Sequence, residues 1–239
     1  MSYAGAVISF IVPPAENPMT AEAVYDRWVS MLDSINQEDP VLSQWRYAYG
    51  EQGIPIDVHE KNRVVKDAIK TVREFKHDHN GTGLISFACR GNFSVDERKY
   101  HYTANRFSWG DDRRAGVFFI DTGLLKQTTW PDYWQVFANC LRKLSEVIPP
   151  RWANVAPFAY VDLAAFPHRE WVGWMALVPD VDLSNEMPFV ALAEYLPDIG
   201  TLIVTTKEPF DPENEEHIKL ARATEVFLAD KEVLPERGV

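Results

Sequence analysis

Apolar residues recur at helical spacing in four stretches of this chain. Ala21, Val24, Trp28, Met31, Leu32 and Ile35 fall on one stripe, and Thr20 in the preceding "NPMT" can accept a hydrogen bond from the first-turn amides. Val65, Ala68, Ile69, Val72 and Phe75 form a second stripe. The third holds Tyr133, Phe137, Cys140, Leu141, Leu144, Val147 and Ile148. It opens at "TTWPD" with a candidate capping box of Thr129 and Asp132 and stops at Pro149 and Pro150. The fourth lies in "FDPENEEHIKLARATEVFL", with Asp211 as cap, Pro212 in the first turn and acids where the helix dipole favours them.

Between these helices the pattern is that of strands. Tyr3 to Val12 is β-branched and aromatic and ends at Pro13 and Pro14. "GLISFAC", "YHYTANRFSW" and "AGVFFID" follow in order, separated by polar turns, which predicts an antiparallel meander. Phe158 to Leu163, Trp171 to Val178 and "TLIVTT" are further strand candidates. In the second of these, Trp171, Gly173, Met175 and Leu177 would share one face and Val172, Trp174, Ala176 and Val178 the other. A strand apolar on both faces is central, so at least one tryptophan is predicted in the core, with Gly173 allowing close approach of a neighbouring element. The expected fold is α+β, a mainly antiparallel sheet with a central meander and about four amphipathic helices packed on it. No Gly/Ser linker divides the chain, so residues 1–239 read as a single domain; the strand-then-helix order at both ends suggests two similar lobes, without a sequence repeat to support them.

With 239 residues, 46% of them hydrophobic, the chain can bury roughly 70% of the surface that its unfolded form exposes. The opening apolar run is only about ten residues long and the first basic residue is Arg27, which fits neither a signal sequence nor a membrane span. Cys89 and Cys140 make no disulfide framework and read as buried free thiols of a reducing cytoplasm. Charge changes the picture more. From Pro179 onward there are 14 acidic and five basic residues, a net −9 of the chain's −11. Such a segregated acidic surface repels nucleic acid and anionic lipid and attracts a basic partner; the more frequent explanation of such a cluster is a solvated face that keeps the protein soluble.

Catalytic chemistry is sparsely signalled. "FKHDHNG" brings His77, Asp78 and His79 together, as a metal pair or as histidines at a helix carboxyl end. "DVHEKN" offers Asp57, His59 and Glu60 as an acid–base set or as the loop before a helix. "DDRR", Asp111 to Arg114, is a turn whose charges can pair among themselves. The chain contains no G-x-S-x-G elbow, dinucleotide fingerprint, phosphate-binding loop or calcium loop, so no cofactor and no metal is expected.

The run "WVGWMALVP", with Trp171, Gly173, Trp174 and Met175, then Gly200 before "LIVTT" and the acidic helix after it, resembles the carboxyl-terminal half of the immunity protein 52 family. The resemblance covers the last third of the chain and, in element order only, the first half. It implies a cytoplasmic, non-enzymatic protein made beside a type VI secretion toxin with a restriction-endonuclease-like nuclease domain, which it binds and silences. Asp180, Asp182, Glu186, Asp198, Glu208, Asp211, Glu213 and Glu215 are then the expected toxin-binding acids, and Trp45, Trp130 and Tyr133, near turns or helix starts, are candidate aromatic anchors. The alternative is a small metal-dependent hydrolase using the Asp57/His59 and His77/His79 clusters.

Overall fold

A computed structural model describes residues 5–39, 42–47, 56–74, 85–91, 104–111, 113–122 and 133–237. The chain divides into two compact units, one of Met1–Phe10 with Leu124–Val239 and one of Ile11–Gly123. Strand β1 (Ala6–Val12) contributes to both and alternates toward a buried face through Ile8, Phe10 and Val12. Among the described residues there are ten strands and four α-helices, and the strands pair mainly antiparallel, as the α+β reading requires.

In the unit of Ile11–Gly123, α1 (Ala21–Ile35) begins where the Thr20 side chain accepts from the Ala23 amide, and all six residues of the predicted stripe are buried. β2 (Arg46–Tyr47) pairs with β3 (Ile56–Asp57). α2 (Lys61–Glu74) then packs with α1 against β4 (Ile85–Arg90). β5 (Ala104–Trp109) and β6 (Gly116–Asp121) complete the predicted antiparallel meander, in the order β3-β2-β4-β5-β6. Trp28 is the centre of this core. It stacks on Phe87 with centroids 5.0 Å apart, and its indole nitrogen donates to the Asn105 side chain at 2.7 Å. That bond removes the penalty of a buried unpaired N–H, and Asn105 in turn donates to the Phe119 carbonyl at 2.9 Å. Cys89 and Cys140 are both buried and outside any disulfide, and burial pushes the Cys89 thiol up.

In the other unit, α3 (Tyr133–Val147) buries Tyr133, Phe137, Cys140, Leu141 and Leu144, as its periodicity predicts. β7 (Trp152–Pro157) is buried at every position. Phe158–Leu163 is a 3-10 helix, not the predicted strand, because Pro157 in extended backbone redirects the chain and only Tyr160 turns inward. β8 (Met175–Pro179), β9 (Leu192–Leu196) and β10 (Gly200–Val204) follow, in the order β1-β7-β8-β10-β9. α4 (Glu215–Asp230) closes the unit and is capped by Asn214, whose side chain accepts from the Glu216 amide; the expected cap, Asp211, lies one turn earlier and accepts from the Glu213 amide at 2.9 Å.

Candidate functional site

The Trp171–Met175 segment is a junction built around one backbone torsion. Gly173 has φ +63°, and a Cβ there would stand 2.4 Å from the Ala156 Cβ. A left-handed residue breaks strand alternation, so β8 starts only at Met175 and the expected sorting of Trp171 and Trp174 onto opposite faces of one strand does not occur. Trp174 is fully buried: its indole nitrogen donates to the Thr206 carbonyl at 2.8 Å and its ring meets Phe137 edge-on at 5.4 Å. Trp171 is half-buried beneath the Arg237 guanidinium, 4.3 Å from its ring centre. Gly200, with φ +140°, lies so close to β8 that a Cβ would be 2.1 Å from the Val178 carbonyl oxygen. The five residues that carry the resemblance therefore serve backbone geometry and core packing.

Glu225, which the sequence did not single out, holds the same junction from α4. It is fully buried and accepts from the Tyr160 hydroxyl at 2.8 Å, the Ala165 amide at 2.7 Å and the Val172 amide at 3.0 Å. Burial pushes its carboxyl up and the donors pull it back only in part; burial likewise pushes the Tyr160 hydroxyl up. The available signal was an acid inside the buried stripe of His217, Ala221, Thr224 and Leu228.

The eight candidate acids do not form one cluster. Asp180 and Asp198 are left-handed turn residues at one end of the β8-β10-β9 ladder, where the Asp180 amide donates to the Ile199 carbonyl at 3.0 Å. Asp182 accepts from the Ser184 hydroxyl and amide, which hold its carboxyl below the usual carboxylate range. Glu186 pairs with Lys231 just beyond the carboxyl end of α4. Glu208, Asp211, Glu213 and Glu215 lie past the other end of β10: Glu208 is 3.5 Å from the buried His217, the Asp211 amide donates to that ring, and Glu215 occupies the first turn of α4. Most of these acids thus have a local conformational role besides their charge.

In the other unit, His59 lies between two carboxylates, with Nδ1 2.9 Å from Asp57 and Nε2 3.0 Å from Asp33. The hydrogen bonds to Asp33 and Asp57 raise the imidazole against its partial burial. For Asp57, burial works upward, but the bonds from His59 and the charge of Arg46, 3.0 Å away, outweigh it and lower the carboxyl. Both ring nitrogens of His59 are thus engaged by carboxylates, and neither is presented to a metal ion. Glu60 instead turns to Arg63 at 2.5 Å. In the "DDRR" turn Arg114 stands 3.9 Å from Asp111. His77, Asp78 and His79 lie outside the described residues, as do Thr129, Trp130 and Asp132. Among the described residues no group of three or more His, Cys, Asp or Glu is arranged to hold a metal ion, and no helix is long and apolar enough to cross a membrane.

The aromatic anchors also differ from expectation. Trp45 and Tyr133 are buried, 3% and 4% exposed: Trp45 sits two residues before the buried Tyr47, on the inward phase of the strand pattern, and Tyr133 heads the inward stripe of α3, edge-on to Phe137 at 4.8 Å. Among the described residues, the exposed large apolar ones are Val117, Phe158, Phe189, Tyr195 and Val226.

Residues 133–236 match the family model of immunity protein 52. The matched span contains Trp171, Gly173, Trp174, Met175 and Gly200, as the resemblance read from these residues requires, and it lies wholly within the unit of Met1–Phe10 and Leu124–Val239. Among solved structures, the chain is similar to the Pseudomonas aeruginosa T6SS protein PA0821, with 14% identity and a TM-score of 0.49 over 91% of this chain and 76% of that one. No curated protein matches the sequence.

Proposed function

Starting from the immunity protein 52 match over residues 133–236, we propose that this protein is an immunity protein that binds a cognate toxin and neutralises it by stoichiometric occlusion. That match is the observation that carries the reading. The toxin class we infer is a nuclease delivered by type VI secretion, with a restriction-endonuclease-like domain, met in the cytoplasm of the producing cell. A nuclease gathers Lys and Arg around its phosphate-binding surface, and a chain that concentrates −9 of its charge after Pro179 complements such a surface and speeds its encounter. The engagement of both His59 nitrogens by carboxylates leaves neither presented to the metal that the hydrolase alternative requires.

The test is growth of cells expressing the toxin encoded beside this gene, with and without this protein, together with co-purification of the two. Rescue accompanied by a stable complex is the expected result. Rescue without a complex would restore the enzyme reading, and absence of both would remove the immunity role.

A further inference from the structure

The outward side of α4 is apolar where a solvent-facing helix ordinarily carries charge. Ala223, Val226 and Phe227 follow at the spacing that brings side chains together on one helix face. Ala223 is exposed, Val226 is 44% exposed and Phe227 is half-buried. The inward side is separately occupied by His217, Ala221, Thr224, Glu225 and Leu228. Phe189, from the loop between β8 and β9 and 40% exposed, meets Phe227 edge-on with centroids 5.9 Å apart. A contiguous apolar stripe with a paired aromatic is what an interface anchor requires.

The rim of the stripe is anionic at the carboxyl end of α4. At one end Glu186, Asp230 and Glu232 are exposed, and the nearby Lys231 is engaged with Glu186 and over the Phe227 ring at 5.6 Å. At the other end Lys219 pairs with Glu216 at 3.6 Å. The lysines are thereby balanced, and Asp230 and Glu232 leave the carboxyl end of the stripe negative; at the amino end the exposed Arg222 donates from Nε to the Leu163 carbonyl and adds one positive charge. A second copy of this chain would bring the same net-negative border, whereas a partner with an apolar contact bordered by Lys and Arg complements the carboxyl end.

We propose that Phe189, Ala223, Val226 and Phe227 form the anchor surface for a basic-rimmed protein partner. The proposal rests on the immunity reading and assigns it a face, one that only Glu186 of the candidate acids borders directly.

The experiment measures binding of Ala223→Arg and Val226→Arg, made separately, to the full-length toxin encoded beside this gene by titration calorimetry, with melting temperature and light scattering on each variant. The expected result is binding weakened about tenfold or more in each variant, with unchanged melting temperature. If Val226→Arg melts early, Ala223→Arg, which replaces only an exposed methyl group, carries the comparison. Wild-type affinity in the variants overturns the assignment and leaves the immunity reading standing. Failure of the wild-type protein to bind overturns that reading and the surface with it. A wild-type dimer that Val226→Arg dissociates assigns the stripe to self-association and also overturns the proposal.

Discussion

At the scale of single residues, Gly173 and Glu225 set the junction on which the family-like segment depends. Gly173→Ala must place an L-residue at φ +63° with a Cβ 2.4 Å from that of Ala156, so denaturant unfolding should show a loss of about 2–4 kcal/mol; a loss below about 1 kcal/mol would mean that the Ala156 backbone yields. Glu225→Ala leaves the Tyr160 hydroxyl and the Ala165 and Val172 amides without their acceptor, and the same measurement should show about 3 kcal/mol or more. A value near zero would show that water replaces the carboxylate. The sequence reading anticipated a close approach at Gly173 and a core tryptophan, and both are present at Gly173 and Trp174. It did not anticipate the left-handed torsion, because an apolar run around one glycine has the same pattern whether the glycine continues a strand or ends it.

His59 carries a pH dependence of definite sign. Its imidazole is raised by Asp33 and Asp57, so the stabilisation is complete below the unfolded value near about 6.5 and is lost as pH rises through the folded one. Melting temperature should therefore fall across that window, and His59→Gln should flatten the fall. The side chain is 58% exposed, so the effect is small; an unchanged slope in His59→Gln would assign it to other groups.

At the scale of elements, α1 and α3 were legible because one apolar stripe faces one core in each. The meander of β4, β5 and β6 was legible for the same reason, with Ile85, Phe87 and Cys89 alternating against Ser86 and Ala88. β7 was missed because all six of its positions are buried, which leaves no alternation to detect. β9 was missed because its alternation is weak. In α4 the apolar positions occur on two sides, inward at Ala221 and Leu228 and outward at Ala223 and Val226, so a reading that assigns one face per helix sees only the first. The acids separate along this same element. α4 has 16 residues, about 24 Å, well beyond the screening length of about 8 Å at physiological salt. Charges at its two ends therefore act independently. Reversing Asp182 and Glu186, on the loop that carries Phe189, should slow toxin association several-fold and flatten its salt dependence in stopped-flow measurements, whereas reversing Glu213 and Glu215 should leave both nearly unchanged. Equal effects from the two pairs would contradict a localised steering surface.

At the scale of the molecule, the net charge of −11 sits mostly after Pro179, which suits a basic partner or a solvated face alike, and the residues that resemble a known family are structural and not chemical. The family match confines itself to residues 133–236, and the proposed anchor stripe on α4 lies inside that span. The interface itself was not legible, because exposed Phe189 and Val226 differ from core residues only in where the fold leaves them. In the proposed function this protein acts by occupying its target one to one. The most direct test is to titrate the purified protein into a DNA-cleavage assay of the purified cognate toxin. Cleavage should fall in proportion to added protein and vanish at one equivalent. Loss of cleavage at a small fraction of an equivalent, or full cleavage in excess, would contradict it.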